Sequence, residues 1–464
     1  MTTLNVYIPD YCVSELRYSL DILLGEFLGL TFQTEVTASE SITITQSDSE
    51  KELILDSSFF QNASRAWLKP QSMPQLPLQS WTPSDDGIVA TLVESSLPVL
   101  YGKPGIIKTD KSLRLQVDIF GTAFFMLSRY EELITTERDQ HQRFPATASI
   151  AFKENFLDRP IVNEYLEVLW SCLKQLWPEL QRKNRMADNY ISCDVDFPFN
   201  PAYYSFNKML RACVRHVVKE RSPVAAIKTI TKYFANMMGF SIYDEFRENI
   251  SWIMDQNEEV NNKVSFYFIP MVTSHLDNVE DFYSSKMRKV IDEINSRGHY
   301  IGIHPGYNAH DNLSISRESE VYLKKILEFH NIFQSDIGGR QHYLRWDSRL
   351  TPVILSKGGR TYDSTLMYAD RTGFRCGICY SFSMYDLVLR QQLTLIQRPS
   401  VCMEVTMFES CYEGLGLDQI AVLSKINTLR SRCHMFSGTF GILWHNSNLN
   451  SEQKNIYKAM LKNA

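Results

Sequence analysis

The sequence has no long basic run and carries a formal net charge of -5, which excludes nucleic acid as an expected partner. It has no apolar run of about 18 residues, so no spanning helix is expected. The N-terminus, Met1-Thr-Thr-Leu-Asn-Val-Tyr-Ile-Pro-Asp10, lacks the basic and apolar segments of a secretory leader. The nine cysteines are odd in number and irregularly spaced, which argues against a disulfide framework and for a reducing compartment. Cytoplasmic location is the expectation. Walker loop, dinucleotide fingerprint, internal repeat and low-complexity tract are all missing.

What is present suits a globular protein with a sizeable core. Hydrophobic residues make up 44% and charged residues 22%, so the core needs no covalent staples. Aromatics reach 12%, a supply that suits sugar or apolar ligands, although most aromatics pack in cores. A length of 464 residues points to two domains.

The first part reads as a smaller α/β domain over 1–185. Strands are expected at 4–8, near Ile42 and Ile44, at 53–55 and at 88–93. Between 56 and 86 the prolines 70, 74, 77 and 83 predict mostly loop. A helix runs from Val13 to Phe27 with Gly29 as its terminal cap, Asp118 caps a second, and Pro160 opens a third. The polar run Gln181-Arg-Lys-Asn-Arg185 marks a boundary. Over 186–464 strand-like runs alternate with helical ones: 190–195, 264–269, 299–303, 338–343, 360–363, 401–405 and 439–445. Such alternation predicts a parallel sheet, open or closed, with its chemistry at the C-terminal strand ends.

Those ends carry ionisable groups. Asp194 and Asp196 close the strand Tyr190-Ile-Ser-Cys-Asp-Val-Asp196; on an extended chain they share a face, about 7 Å apart. Two acids there repel unless a cation or an arginine compensates. His304 ends the next candidate strand, Arg340, His342 and Tyr343 follow another, and Asp363 and Trp444-His445 end two more. Aspartate and histidine suit Zn, Co, Ni or Fe, with Asp196 and His304 as the best ligand candidates. Asp194 is then free to take a proton, Arg340 can keep it ionised and oriented, and His445 can protonate a leaving group. The third ligand is open between His310 and Asn308, or two protein ligands suffice; His310 is favoured on ligand chemistry. Asn308, Tyr343, Asp363 and Trp444 are candidates to line the substrate. Cys376-Gly-Ile-Cys379 has no partner pair and reads as buried thiols.

These segments resemble the five motifs of the polysaccharide deacetylases, the NodB-like proteins of carbohydrate esterase family 4. In order they are Ser-Cys-Asp194-Val-Asp196, Ile-Gly-Ile-His304-Pro305, Arg340-Gln-His-Tyr343, Tyr362-Asp-Ser-Thr365 and Ile-Leu-Trp-His445-Asn446. The resemblance covers about 186–464. It implies a distorted (β/α)7 barrel and metal-dependent hydrolysis of an acetyl group. Asp194 matches the base, Asp196 and His304 the metal ligands, Arg340 the orienting arginine and His445 the acid. The family's second histidine, four residues after the first, is Asn308 here, and its third-motif proline is His342. The segments Phe125-Met-Leu-Ser-Arg-Tyr-Glu-Glu132 and Asp139-Gln-His-Gln-Arg-Phe144 look like the domain preceding this module in proteins encoded with bacterial surface-polysaccharide genes.

The expected activity is removal of acetyl from an N-acetylated sugar or glycan precursor. The alternatives are hydrolysis of a C–N bond in a non-sugar amide or cyclic imide, or carbohydrate binding without catalysis.

Overall fold

The computed structural model describes residues 3–219 and 221–462. The chain divides into two compact units. One holds Met1–Tyr190, Asn308–Glu318 and Asp336–Ile442; the other holds Ile191–Tyr307, Ser319–Ser335 and Leu443–Ala464.

The first unit opens on a mixed six-stranded sheet. Across it lie Thr31–Thr37, Thr3–Pro9, Ile42–Gln46, Glu52–Leu55, Ser112–Val117 and Gly102–Lys108. Alternate residues face the core: Leu4, Val6 and Ile8, then Ile42 and Ile44, then Leu53 and Leu55. The helix Ile119–Leu127 is buried on every side, which explains its unbroken apolar sequence. Asp118 caps it, accepting from the Gly121 amide at 2.7 Å. Gly121 has no room for a side chain, since a Cβ there would lie 2.5 Å from Cβ of Phe59. Phe59 stands edge-on to Tyr101 and Tyr130, each with its ring centroid 5.1 Å away. Each such aromatic contributes about 1.5–3 kcal/mol through burial.

Residues 88–93 form no strand. Val89 is exposed, and the backbone of this run is satisfied by side chains of the helix Ile161–Leu176 instead of a ladder. Ser171 Oγ donates to the Val89 carbonyl at 2.9 Å, and the Val93 amide donates to Glu164 Oε2 at 3.0 Å. The stretch 56–86, expected as loop, contains the helix Ser58–Arg65.

The same unit carries a second set of strands. Gly338–Gly339 runs parallel to Tyr362–Asp363, which runs parallel to Gln391–Gln397. The last pairs antiparallel with Phe382–Asp386, a hairpin the sequence reading lacked. The strand expected over 338–343 stops at Gly339, because Tyr343 and Leu344 have φ of 61° and 55° and leave the extended region.

In the second unit three strands run parallel. Residues 191–195 of Asp188–Val195 pair with Val264–Phe268, which pairs with Tyr300–Ile303. The helices Glu245–Glu258 and Ser285–Ser296 connect them, as the alternation predicts. The architecture is mixed α/β with several sheets, and among the described strands none closes into a barrel.

Candidate metal centre

Parallel pairing aligns the C-terminal ends of neighbouring strands, and this places the candidate groups of the second unit together. Tyr267 stands opposite Asp194, and Phe268 opposite both Val195 and Ile303. The His304 amide continues the ladder, donating to the Phe268 carbonyl at 2.8 Å. Asp194 and His304 are buried, whereas 22% of the Asp196 side chain is exposed. His304 Nε2 lies 3.3 Å from Asp196 Oδ1 and 3.7 Å from Asp194 Oδ2. His445 Nε2 lies 3.9 Å from the other oxygen of Asp196.

This spacing fits a cation. Two ligand atoms about 2.1 Å from one tetrahedral ion stand about 3.4 Å apart, close to the 3.3 Å between His304 Nε2 and Asp196 Oδ1. Carboxylate and imidazole are both ligand types of divalent ions.

Surrounding residues hold this geometry, and the sequence reading passed over the first of them, Asp277. Asp277 accepts from the Thr273 and Ser274 amides and from Thr273 Oγ1 at 2.7–2.8 Å, and from the Tyr307 amide at 2.8 Å. Gly306 permits this approach, since a Cβ there would fall 2.6 Å from Asp277 Oδ2. Buried Asn446 donates to the carbonyls of Phe197 and Phe246 at 2.8 and 3.1 Å, fixing the segments that bear His445 and Asp196. Trp444 is buried, packs on Tyr457 and donates from its indole nitrogen to the Asn448 carbonyl at 2.8 Å. His299 sits at the strand entrance: its Nδ1 accepts from the Val264 amide at 3.0 Å, and burial lowers its pKa despite Glu258.

The remaining candidates belong to the first unit. Arg340 is fully buried; its Nε donates to the Ser364 carbonyl at 3.1 Å and its Nη2 to Ser400 Oγ at 3.3 Å. Asp363 is bound by the Thr365 amide and hydroxyl, both at 2.7 Å, and burial outweighs Arg360 to raise its pKa. Asn308 is exposed. His310 is buried, with Nδ1 3.5 Å from Asp311 Oδ1 and its carbonyl accepting from Thr351 Oγ1 at 2.8 Å. The ring of Tyr343 stands edge-on to His342 and tilted against His141, both with centroids 4.7 Å away. Arg143 Nη1 donates to the Tyr343 carbonyl at 2.9 Å. Burial pushes the Asp139 carboxyl up, but the Arg143 amide and guanidinium outweigh it and hold its pKa below the ordinary value. Cys376 and Cys379 are free and buried, and burial pushes the Cys376 thiol up to about 12.

Among the described residues of the second unit, Asp196 and His304 each offer a ligand atom for a metal ion. The sequence reading carried the strand through 343 and credited its end to Arg340, His342 and Tyr343.

A family described as one of unknown function, DUF7033, matches residues 4–178. No curated protein matches the chain. Among solved structures, one from Mycobacterium smegmatis, provisionally described as a polysaccharide deacetylase, is similar at 14% identity. The match covers 60% of this chain and 84% of that one, with a TM-score of 0.36. A likeness of that size carries no functional weight.

Proposed function

We propose that the chain is a metal-dependent hydrolase that removes acetyl from an N-acetylated sugar or glycan precursor. The observation that carries this reading is the imidazole of His304, 3.3 and 3.7 Å from two carboxylates of different exposure. Asp196 and His304 hold the metal, with His310 or Asn308 as the source of a further ligand, or as its two protein ligands alone. A divalent ion, zinc foremost with cobalt, nickel or iron as substitutes, supplies Lewis acidity at the acetyl carbonyl.

Asp194 takes the proton of the attacking water, and its burial keeps competing water away. Arg340 orients that carboxylate and keeps it ionised. His445 gives a proton to the departing amine, so acetate and a free amino sugar leave. Tyr343, Asp363, Trp444 and Asn308 shape the substrate side. The distorted (β/α)7 barrel and a boundary between 185 and 186 belong to the same reading.

The test is acetate release from free, nucleotide-linked and lipid-linked acetamido sugars, with metal content measured alongside. Chelator should abolish release, and Asp196→Ala should purify without the metal. A metal-loaded protein that leaves all three classes intact but opens a cyclic imide would move the assignment to the C–N hydrolase. A protein that neither binds metal nor turns over any substrate would be a carbohydrate-binding relic.

A further inference from the structure

The hairpin of helices Phe206–Val218 and Pro223–Met237 in the second unit turns its apolar side outward. Surface helices ordinarily bury that stripe. Here Phe206, Leu210, Val214 and Val217 follow helical spacing on the first helix and are all exposed. Val224, Ile227 and Phe234 do the same on the second. The side chains buried within the hairpin are Met209, Ala226 and Thr229. Exposure of this kind is far from marginal: Val214, Val224 and Ile227 keep 62–63% of their surface. A contiguous apolar patch this extensive marks an interaction site.

The charge of the patch selects its partner. Residues 206–237 contain seven lysines and arginines against one acid, Glu220, in a chain whose net charge is -5. Lys208, Arg211, Arg215, Lys219 and Lys228 are exposed beside the apolar stripe. Lys232 is committed elsewhere, 2.8 Å from Glu245. An apolar stripe flanked by cations is the pattern of a helix lying in the interface of an anionic bilayer. The helices have 13 and 15 residues, about 20 and 22 Å at 1.5 Å per residue, which is short of a bilayer core of about 30 Å. No helix among the described residues is long and apolar enough to cross a membrane.

We propose that this hairpin docks the protein on the surface of an anionic phospholipid membrane. The apolar side chains enter the acyl boundary, and the lysines and arginines meet lipid phosphates. The inference stands on the hairpin alone and survives if the hydrolase reading fails.

The full chain is floated with phosphatidylcholine vesicles and with vesicles containing about one third phosphatidylglycerol. It should rise with the anionic vesicles at least about tenfold more than with the neutral ones, and added salt should erode that preference. Phe234→Ser with Val214→Ser should reduce flotation about tenfold or more. Lys208→Glu with Lys228→Glu should abolish the preference for the anionic lipid. Circular dichroism should be unchanged in both variants, because all four side chains are exposed. Absence of flotation with either vesicle overturns the proposal. So does a dimer in sedimentation velocity that Phe234→Ser dissolves, since the patch would then belong to a second copy of the chain.

Discussion

Two clusters of buried acid, one in each unit, solve the same electrostatic problem differently. In the first unit Glu132 receives both prongs of Arg375 at 2.9 Å, Arg129 Nε at 2.9 Å and Ser348 Oγ at 2.7 Å. Arg129 also reaches Glu131 at 2.7 Å and the Arg375 carbonyl. Burial pushes the Glu132 carboxyl up, but the two arginines outweigh it and bring it down to about 2. In the second unit the carboxylate of Asp196 stands beside the imidazoles of His304 and His445. An acid matched by fixed guanidinium has no use for a mobile cation. Carboxylate beside imidazole is instead a pairing that divalent ions bind. The first arrangement holds its acid with fixed cations and the second gathers groups of metal-ligand type, though both look alike in a count of charged residues.

Substitution should separate them. Asp194→Asn should cut acetate release about 10²–10⁴-fold while metal content and the denaturation midpoint stay put. Glu132→Ala should do the reverse. It leaves two arginines buried without their shared carboxylate, and urea titration should register a loss of about 3–5 kcal/mol. A Glu132→Ala protein as stable as the parent would erase the contrast.

A pH series sharpens the comparison inside the first unit. The folded pKa of Glu132 is depressed from 4.5 to about 2, so its contribution is present above 4.5 and is lost as pH falls toward 2. Asp118 has the opposite sign: burial, only partly offset by the Phe59 and Gly121 amides, raises it from 3.8 to about 7. Its contribution is present below 3.8 and is lost as pH rises toward 7. Denaturation midpoints between pH 4 and 7 should therefore lose part of their downward slope in Asp118→Asn. An unchanged slope would remove Asp118 as its source. The smallest effect belongs to Arg143→Ala, which frees the Tyr343 carbonyl. About 1 kcal/mol of stability should go, with less than a tenfold fall in kcat/KM.

The parts of this molecule written locally were legible in its sequence. Asp118 before an apolar run announced a capped helix, and the alternation of 4–8 announced a strand. The pairing of Asp194 and Asp196 with His304 followed from aligned parallel strand ends, a rule of topology. What stayed hidden depends on contacts far apart in the chain or on unusual backbone. Glu132 and Arg375 meet across 243 residues. The left-handed turn at Tyr343 and Leu344 leaves no compositional trace, because neither residue type favours it. Residues 88–93 misled because an apolar run that bonds to the side chains of a helix has the composition of one that bonds to a strand.

The carboxylate of Asp277 fastens Thr273 and Ser274 on one side and Tyr307 on the other. The loops that follow two neighbouring strands are thereby tied into one stiff piece. A ligand that pushed on the first would strain the second, and with it the backbone that carries His304. Variation in substrate preference is then expected to arise from side chains projecting off this brace, because any change of its length would loosen the imidazole as well.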